Sequence, residues 1–199
     1  MKHAFRILGM ALLVGAMSFT TPANKKLIVI DAGHGGHDVG ATHGFHSEKE
    51  ITSKIAKKIK SLNTNDNVEI ILLRNDDEFK SLADRVDAIN NLNADLVLSL
   101  HVNKNPNETT SGIEAFVSEE NAKYEDSKAH AEELVSILST EKIKSRGVKM
   151  APFMVLKKSN TAAVTLELGF LSNTSDREYL TSNLGQNEIA SKISSYLSK

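Results

Sequence analysis

Residues 26–37 read K-L-I-V-I-D-A-G-H-G-G-H, an apolar run that leads into a glycine-rich loop containing His34. A continuous apolar run over residues 27–31, rather than an alternating one, is typical of a strand that is buried on both faces of a parallel sheet. The glycines after it indicate a turn where the strand ends. This segment therefore predicts an α/β fold in which the first strand delivers His34 to the edge of the sheet.

The rest of the chain alternates between strand-like and helix-like patterns. Further strands are predicted at residues 68–73, 95–100, 113–117, 153–156 and 163–168. Helical spacing of apolar residues occurs at 51–62, 82–89, about 124–139 and 189–197. Such alternation predicts a single α/β domain over residues 25–199, with a mostly parallel twisted sheet of about six strands and helices on both faces.

Composition narrows the classes of function. The chain has 199 residues, of which 40% are hydrophobic and 25% charged, as in soluble globular domains. The formal net charge of −1 gives no basis for binding nucleic acid or an anionic membrane. The sequence contains no cysteine, which excludes disulfides, thiolate catalysis and cysteine-bound zinc. Any metal must therefore be held by His, Asp or Glu.

Residues 1–23 have the pattern of a secretory signal peptide. Lys2, His3 and Arg6 precede an uncharged stretch at 7–19, and small and polar residues follow up to Ala23. The apolar stretch is shorter than the roughly 20 residues that a membrane-spanning helix needs. We therefore expect an exported protein, periplasmic or extracellular, with no membrane anchor after cleavage.

Three polar residues lie where predicted strands end. His34 follows the first strand, His101 follows the strand at 95–100, and Glu167 lies in or just after the strand at 163–168. The carboxyl ends of parallel strands meet at one edge of a sheet, so these side chains are expected to converge. A single histidine in such a place is more often a hydrogen-bonding residue. Two of them near carboxylates favour a metal site without deciding the question.

A third ligand is suggested by residues 47–51, S-E-K-E-I, before the first helical pattern. The spacing predicts a capping box between Ser47 and Glu50, which leaves Glu48 free in the first turn. Glu48 then either complements the helix dipole or binds metal. Two histidines and one carboxylate would leave one zinc position open, as in catalytic sites. Glu167 is either a general base beside such a site or a solvent-facing strand residue.

The residues of these motifs resemble the zinc-dependent N-acetylmuramoyl-L-alanine amidases of the amidase type 3 family. The matching segments are I-V-I-D-A-G-H-G-G (28–36), S-E-K-E-I (47–51), S-L-H-V-N (99–103) and L-E-L-G-F-L-S-N (166–173). Weaker matches are L-L-R-N-D-D (72–77), S-L-A-D-R-V (81–86), S-G-I-E-A-F (111–116) and R-G-V-K (146–149). These segments occur in the family's order and span nearly the whole chain after residue 23. One departure is Ala32, where the family commonly has Pro.

The resemblance implies one Zn²⁺ per chain, held by His34, Glu48 and His101, with Glu167 as the catalytic base. The implied reaction is hydrolysis of the amide between N-acetylmuramic acid and L-alanine in peptidoglycan. We expect a monomer with peptidoglycan as its substrate.

Weaker expectations concern three residues. Asn103 orients His101, touches substrate or is a turn residue, and Glu114 either supports the site or points outward. Gly35 permits close backbone approach to metal and substrate or is simply part of a flexible turn. Alternatives to the amidase are a zinc peptidase or deacetylase acting on another cell-wall amide, and a non-catalytic wall-binding domain.

Overall fold

The structure, a computed structural model, describes residues 25–199. The predicted signal peptide at residues 1–23 lies outside this range. Among the described residues, no helix combines the length and the apolar character that crossing a bilayer requires. The strands are β1 (Lys26–Ala32), β2 (Thr42–His43), β3 (His46–Ser47), β4 (Val68–Leu72), β5 (Leu96–Asn103), β6 (Ile113–Val117), β7 (Ser145–Met150) and β8 (Ala162–Phe170). The helices are α1 (Glu48–Leu62), α2 (Leu82–Leu92), α3 (Tyr124–Leu138), α4 (Met154–Lys158), α5 (Thr174–Thr181) and α6 (Asn183–Leu197).

Six strands form one sheet in the order β4-β1-β5-β8-β6-β7, and β2 and β3 form a separate two-stranded hairpin. Neighbouring strands of the large sheet are parallel except β6 and β8, which are antiparallel. The predicted mostly parallel sheet of about six strands is therefore confirmed. Because β1, β5 and β8 are parallel neighbours, their carboxyl ends lie side by side at one edge of the sheet.

Both faces of the sheet are covered, as the continuous apolar strands require. Alternate residues of the central strands, such as Ile30 and Leu98, pack with the apolar sides of α1, α3 and α6. The intervening residues, such as Val29 and Val97, pack toward α2 and α4. Fully burying a side chain of this size contributes roughly 1.5–3 kcal/mol. The two apolar layers hold the strand ends, and hence the polar residues on them, in fixed register.

The prediction of a strand at residues 153–156 is wrong. Phe153 is the residue before α4, and the chain from Met154 to Lys158 is helical. The sixth strand of the sheet is instead β7, which was not predicted. It is a polar edge strand whose residues are all at least partly exposed, so it has no apolar run to reveal it.

The predicted capping box at the start of α1 is also wrong. Ser47 is the N-cap of the helix, but its side chain makes no capping hydrogen bond, and Glu50 is exposed. Backbone carbonyls of the preceding loop satisfy the first turn instead, since the amide of Glu48 donates to the Ala41 carbonyl (2.8 Å). Helix α5 was not predicted either, and its cap is Asn173, whose side chain accepts from the Asp176 amide.

Candidate metal centre

His34, Glu48 and His101 come together at the carboxyl edge of the sheet. His34 lies two residues after the end of β1, Glu48 opens α1, and His101 lies near the end of β5. Nε2 of His34 lies 3.0 Å from one carboxylate oxygen of Glu48, and Nδ1 of His101 lies 2.8 Å from the other. One nitrogen or oxygen from each of the three residues lies within 4.8 Å of the others. The predicted convergence of the three side chains is thus present in the structure.

The orientation of His34 is fixed from two directions. Its backbone has a φ of 60°, in the left-handed region that non-glycine residues rarely adopt. Its Nδ1 lies 2.8 Å from a carboxylate oxygen of Asp38, so that Nε2 faces Glu48. A carboxylate on the far nitrogen of a metal-binding imidazole sets the ring's tautomer and raises its basicity. Sequence reasoning missed Asp38; its position four residues after His34 in the same loop was the available signal.

Two glycines leave room for the ligand side chains. A Cβ at Gly33 would lie 2.5–2.8 Å from atoms of the His101 ring. A Cβ at Gly40, which has a φ of +66°, would lie 2.5 Å from the Glu48 carboxylate and 2.6 Å from the His34 ring. By contrast, a Cβ at Gly35 would lie 2.2 Å from the backbone carbonyl oxygen of Glu78. Gly35 therefore permits close backbone approach to the segment before α2, which is not the approach to metal and substrate that the sequence suggested.

Charge within the group is strongly coupled. Burial, the largest single effect, favours the neutral form of Glu48, but hydrogen bonds and attraction from His101 and His34 outweigh it and hold the pKa of Glu48 well below its usual range. Burial also acts to lower the pKa of His34, yet Glu48 and Asp38 raise that pKa to about 9. The pKa of His101 is raised by Glu48 against the same effect of burial. A buried carboxylate between two imidazoles is an environment in which a positive charge is strongly stabilised.

The donor set fits a divalent metal ion. Two imidazole nitrogens and one carboxylate oxygen are the protein ligands of one type of catalytic zinc site, which keeps a further position open. The open side of the group faces a cleft of about 680 Å³, which is lined by all three residues and by Glu167. A metal held here would therefore be reachable by a bound substrate.

Glu167 lies beside this group on β8, in register with His101 on β5. Its Oε2 is buried and has no hydrogen-bond partner among the described residues. Burial raises the pKa of Glu167 to about 7, attraction to His101 opposes this, and repulsion from Glu48 and Glu114 adds to it. An unpartnered buried carboxylate is costly unless it has a function or a ligand. With a pKa near neutrality, Glu167 can both accept and release a proton.

Glu114 is buried behind Glu167, its antiparallel partner in register. One of its carboxylate oxygens accepts from Arg146 (2.8 Å) and from Lys149 (2.5 Å). The other accepts from the side-chain amide of Asn103 (3.1 Å). Burial acts to raise the pKa of Glu114, but the two cations hold it below its usual range. Glu114 is therefore an inward residue with paired charge, and Asn103 is tied to Glu114.

The walls of the cleft are apolar and partly exposed. Phe79 and Leu82, near the start of α2, have exposed fractions of 46% and 56%, and Phe153 and Met154, at the start of α4, have 43% and 40%. None of the four was singled out from sequence as a site residue. Exposed apolar side chains that border a polar centre are typical of a substrate cleft.

Comparison with known proteins adds a family to this geometry. Residues 28–199 match the sequence profile of the N-acetylmuramoyl-L-alanine amidase family. The probable cell wall amidase LytH of Staphylococcus saprophyticus is 32% identical over 176 residues, which cover 86% of this chain and 57% of LytH. The sporulation-specific N-acetylmuramoyl-L-alanine amidase of Bacillus subtilis is 37% identical over 160 residues, which cover 77% of this chain and 59% of that protein. This chain therefore spans less than two thirds of the length of both relatives.

A solved structure is similar in fold as well as in sequence. The crystal structure of N-acetylmuramoyl-L-alanine amidase from Clostridium difficile 630 is 32% identical and superposes with a TM-score of 0.81. The match covers 86% of this chain and 94% of that one. The fold is thus shared with that amidase, and this chain belongs to the N-acetylmuramoyl-L-alanine amidase family.

Proposed function

We propose that this chain is a zinc-dependent hydrolase that cleaves the amide bond between N-acetylmuramic acid and L-alanine in peptidoglycan. The observation that carries the proposal is the arrangement of four side chains in one open cleft. Glu48 is buried between His34 and His101, and the unpartnered carboxylate of Glu167 lies beside them. Family membership supports the choice of substrate, because one named relative is a probable cell wall amidase and the other is an N-acetylmuramoyl-L-alanine amidase.

In this proposal His34, Glu48 and His101 hold one Zn²⁺, with His34 contributing Nε2 and His101 contributing Nδ1. When bound, zinc supplies a Lewis acid that polarises a carbonyl oxygen and makes water more acidic. Asp38 keeps the His34 ring turned toward Glu48, so that the ligand atoms are aligned before metal or substrate arrives.

Glu167 carries the proton in this mechanism. As water adds to the carbonyl carbon of the lactyl group, Glu167 takes a proton from the water. It then gives that proton to the amide nitrogen of alanine, the C–N bond breaks, and a carboxylic acid and an amine are released. The position of Glu167 suits this role, because its buried Oε2 has no hydrogen-bond partner among residues 25–199 to lose when it accepts the proton.

The apolar residues of the cleft bind the substrate and exclude water. The apolar side chains of Phe79, Leu82, Phe153 and Met154 cover the approaches to the polar centre, which strengthens electrostatic interactions inside it. All of the residues named come from one chain, so a monomer is sufficient for activity. Because peptidoglycan lies outside the cytoplasmic membrane, we also propose that the protein is exported by the signal peptide at residues 1–23 and acts in the periplasm or outside the cell.

The proposal is tested by digesting purified peptidoglycan with the purified chain and identifying the products by mass and by N-terminal analysis. The amidase reaction produces new N-terminal L-alanine. Treatment with a chelator is expected to abolish activity, and added Zn²⁺ to restore it. The variant Glu167→Gln is expected to lose at least about 100-fold in rate, whereas Glu50→Gln, an exposed carboxylate on α1, serves as the matched control.

Other products would overturn the proposal in recognisable ways. Release of acetate would identify a deacetylase, and new termini within the stem peptide would identify a peptidase. No product from the zinc-loaded protein would identify a wall-binding domain. Equal rates for the wild type and Glu167→Gln would remove Glu167 from the mechanism.

A further inference from the structure

Two arginines are almost completely buried beneath the candidate metal centre. Arg74 follows β4 and Arg85 lies on α2, and their exposed fractions are 2% and 4%. The two guanidinium groups are close neighbours, since both donate to the carbonyl oxygen of Ala32. Burying two like charges together is costly unless each finds strong acceptors. The acceptors they use are therefore informative.

Arg85 binds the backbone around His34. Its guanidinium donates to the carbonyl oxygen of His34 (2.7 Å) and to that of Ala32 (3.1 Å), and it pairs with the buried carboxylate of Asp31. Its Nε donates to the carbonyl oxygen of Lys80, which lies just before its own helix (3.1 Å). One side chain thus connects α2 to both ends of the turn that places His34 in the left-handed region.

Arg74 joins the same turn to the helix that carries Glu48. It donates to the carbonyl oxygens of Ala32 (3.0 Å) and Gly33 (3.1 Å). It also donates to the carbonyl oxygen of Lys49 (2.9 Å), which directly follows Glu48 on α1. The spacing between the His34 turn and the first turn of α1 is therefore set by a single planar group.

The network extends to the strand that carries His101. The second carboxylate oxygen of Asp31 accepts from the hydroxyl of Ser99 (2.8 Å), which lies two residues before His101 on β5. Asp31 in turn is held by Arg85. The segments that contain His34, Glu48 and His101 are consequently joined by one continuous set of hydrogen bonds built around two guanidinium groups.

We propose that Arg74 and Arg85 are positioning residues that set the affinity of the metal centre by holding its three ligand segments in place. The inference rests on the proposed function only in taking His34, Glu48 and His101 as the ligands of zinc. Both guanidinium groups act on the ligands through main-chain carbonyls rather than by contact with the reacting groups. Arginine is needed because its planar fork donates to several acceptors at once, whereas the ammonium of lysine is a point charge.

The test uses Arg74→Lys and Arg85→Lys, which keep the positive charge and remove the fork. Arg177→Lys is the matched control, because Arg177 also donates to two carbonyl oxygens, those of Leu171 (3.0 Å) and Ser172 (3.3 Å), on a different part of the fold. The full chain is stripped of metal, and its Kd for Zn²⁺ is measured by competition with a chromogenic chelator. We expect Kd to rise roughly 10–100-fold in the first two variants, as when other groups that orient metal ligands are lost. The Kd of Arg177→Lys is expected to stay within about twofold of wild type, because no ligand segment is released.

Folding is monitored by circular dichroism and by the thermal midpoint of each metal-free variant, and Kd is measured well below the lowest midpoint. If Arg85→Lys does not fold, Arg74→Lys decides. Saturating Zn²⁺ is expected to restore most of the hydrolytic rate of Arg74→Lys, since Arg74, unlike Arg85, does not line the cleft. Unchanged Kd in the folded arginine variants, or an equal rise in Arg177→Lys, would overturn the inference. A wild-type chain that binds Zn²⁺ but releases no alanine termini would instead contradict the proposed function and leave this inference standing.

Discussion

Replacing Glu167 by Gln should stabilise the metal-free protein at the same time as it removes activity. Burial raises the pKa of Glu167 to about 7 from an ordinary value of 4.5. The difference of about 2.5 corresponds to about 3 kcal/mol between the ionised and neutral forms. The pKa in the folded state is the higher one, so protonated Glu167 makes its full favourable contribution to the free energy of unfolding below about pH 4.5. That contribution is lost as the pH rises toward 7 and is absent above it. Gln has nearly the same shape and cannot ionise, so the variant escapes this loss.

The assay is urea unfolding of the wild type, Glu167→Gln and Glu50→Gln, all treated with chelator, at pH 4.5 and pH 8. The free energy of unfolding of Glu167→Gln minus that of the wild type is expected to be about 2–3 kcal/mol larger at pH 8 than at pH 4.5. The exposed Glu50 should give no such gain. The same variant is expected to lose hydrolysis of peptidoglycan. A stability difference that is independent of pH would refute the argument that Glu167 is held in a desolvated environment.

Three further predictions concern the surroundings of the site and the stability of the fold. Gly33→Ala places a methyl group against the His101 ring, so Kd for Zn²⁺ should rise at least about 10-fold while circular dichroism is unchanged; an unaltered Kd would contradict the close packing. Asp38→Asn removes the anionic partner of His34 and should raise the Kd for Zn²⁺ roughly 10–100-fold in a chelator competition. An unchanged Kd would show that the backbone alone holds the His34 ring. Burial lowers the pKa of half-buried His130, so the contribution of the neutral ring to stability is present above about pH 6.5 and is lost as the pH falls. His130→Gln should therefore narrow the difference between the urea midpoints at pH 7.5 and pH 5.5. An unchanged difference would contradict this prediction.

The parts of the fold that were predictable from sequence are those with long buried elements. β1 and β5 are apolar on both faces because both faces are covered, and such runs are visible without any knowledge of the partner strands. β7 differs because it is an edge strand whose exposed residues are free to be polar. The run at 153–156 is four residues long, and periodicity cannot separate a strand from a helix at that length.

The same limits apply to the site. Strand ends pointed to His34 and His101, because parallel strands bring their carboxyl ends together whatever the loops between them do. Glu48 was selected by a capping argument that the structure contradicts, although the side chain does lie with the histidines. The roles of Asp38 and Gly40 depend on how one loop folds back on itself. The spacing from His34 is the one local signal for Asp38, and no local pattern indicates that Gly40 packs against Glu48 and His34.

The hydrogen bonds of Arg74 and Arg85 determine how much the sequence of the loop around His34 can vary. Every hydrogen bond that Arg74 and Arg85 make to residues 32–34 ends on a carbonyl oxygen, an atom that all twenty amino acids possess. The identity of the side chain at position 32 therefore has little effect on the hydrogen bonds that the two arginines make. This accounts for Ala at a position where the family resemblance leads one to expect Pro. The geometry of the loop depends instead on Arg74 and Arg85, which are distant from the loop in sequence. We therefore expect substitutions of these two arginines to change the binding of the metal.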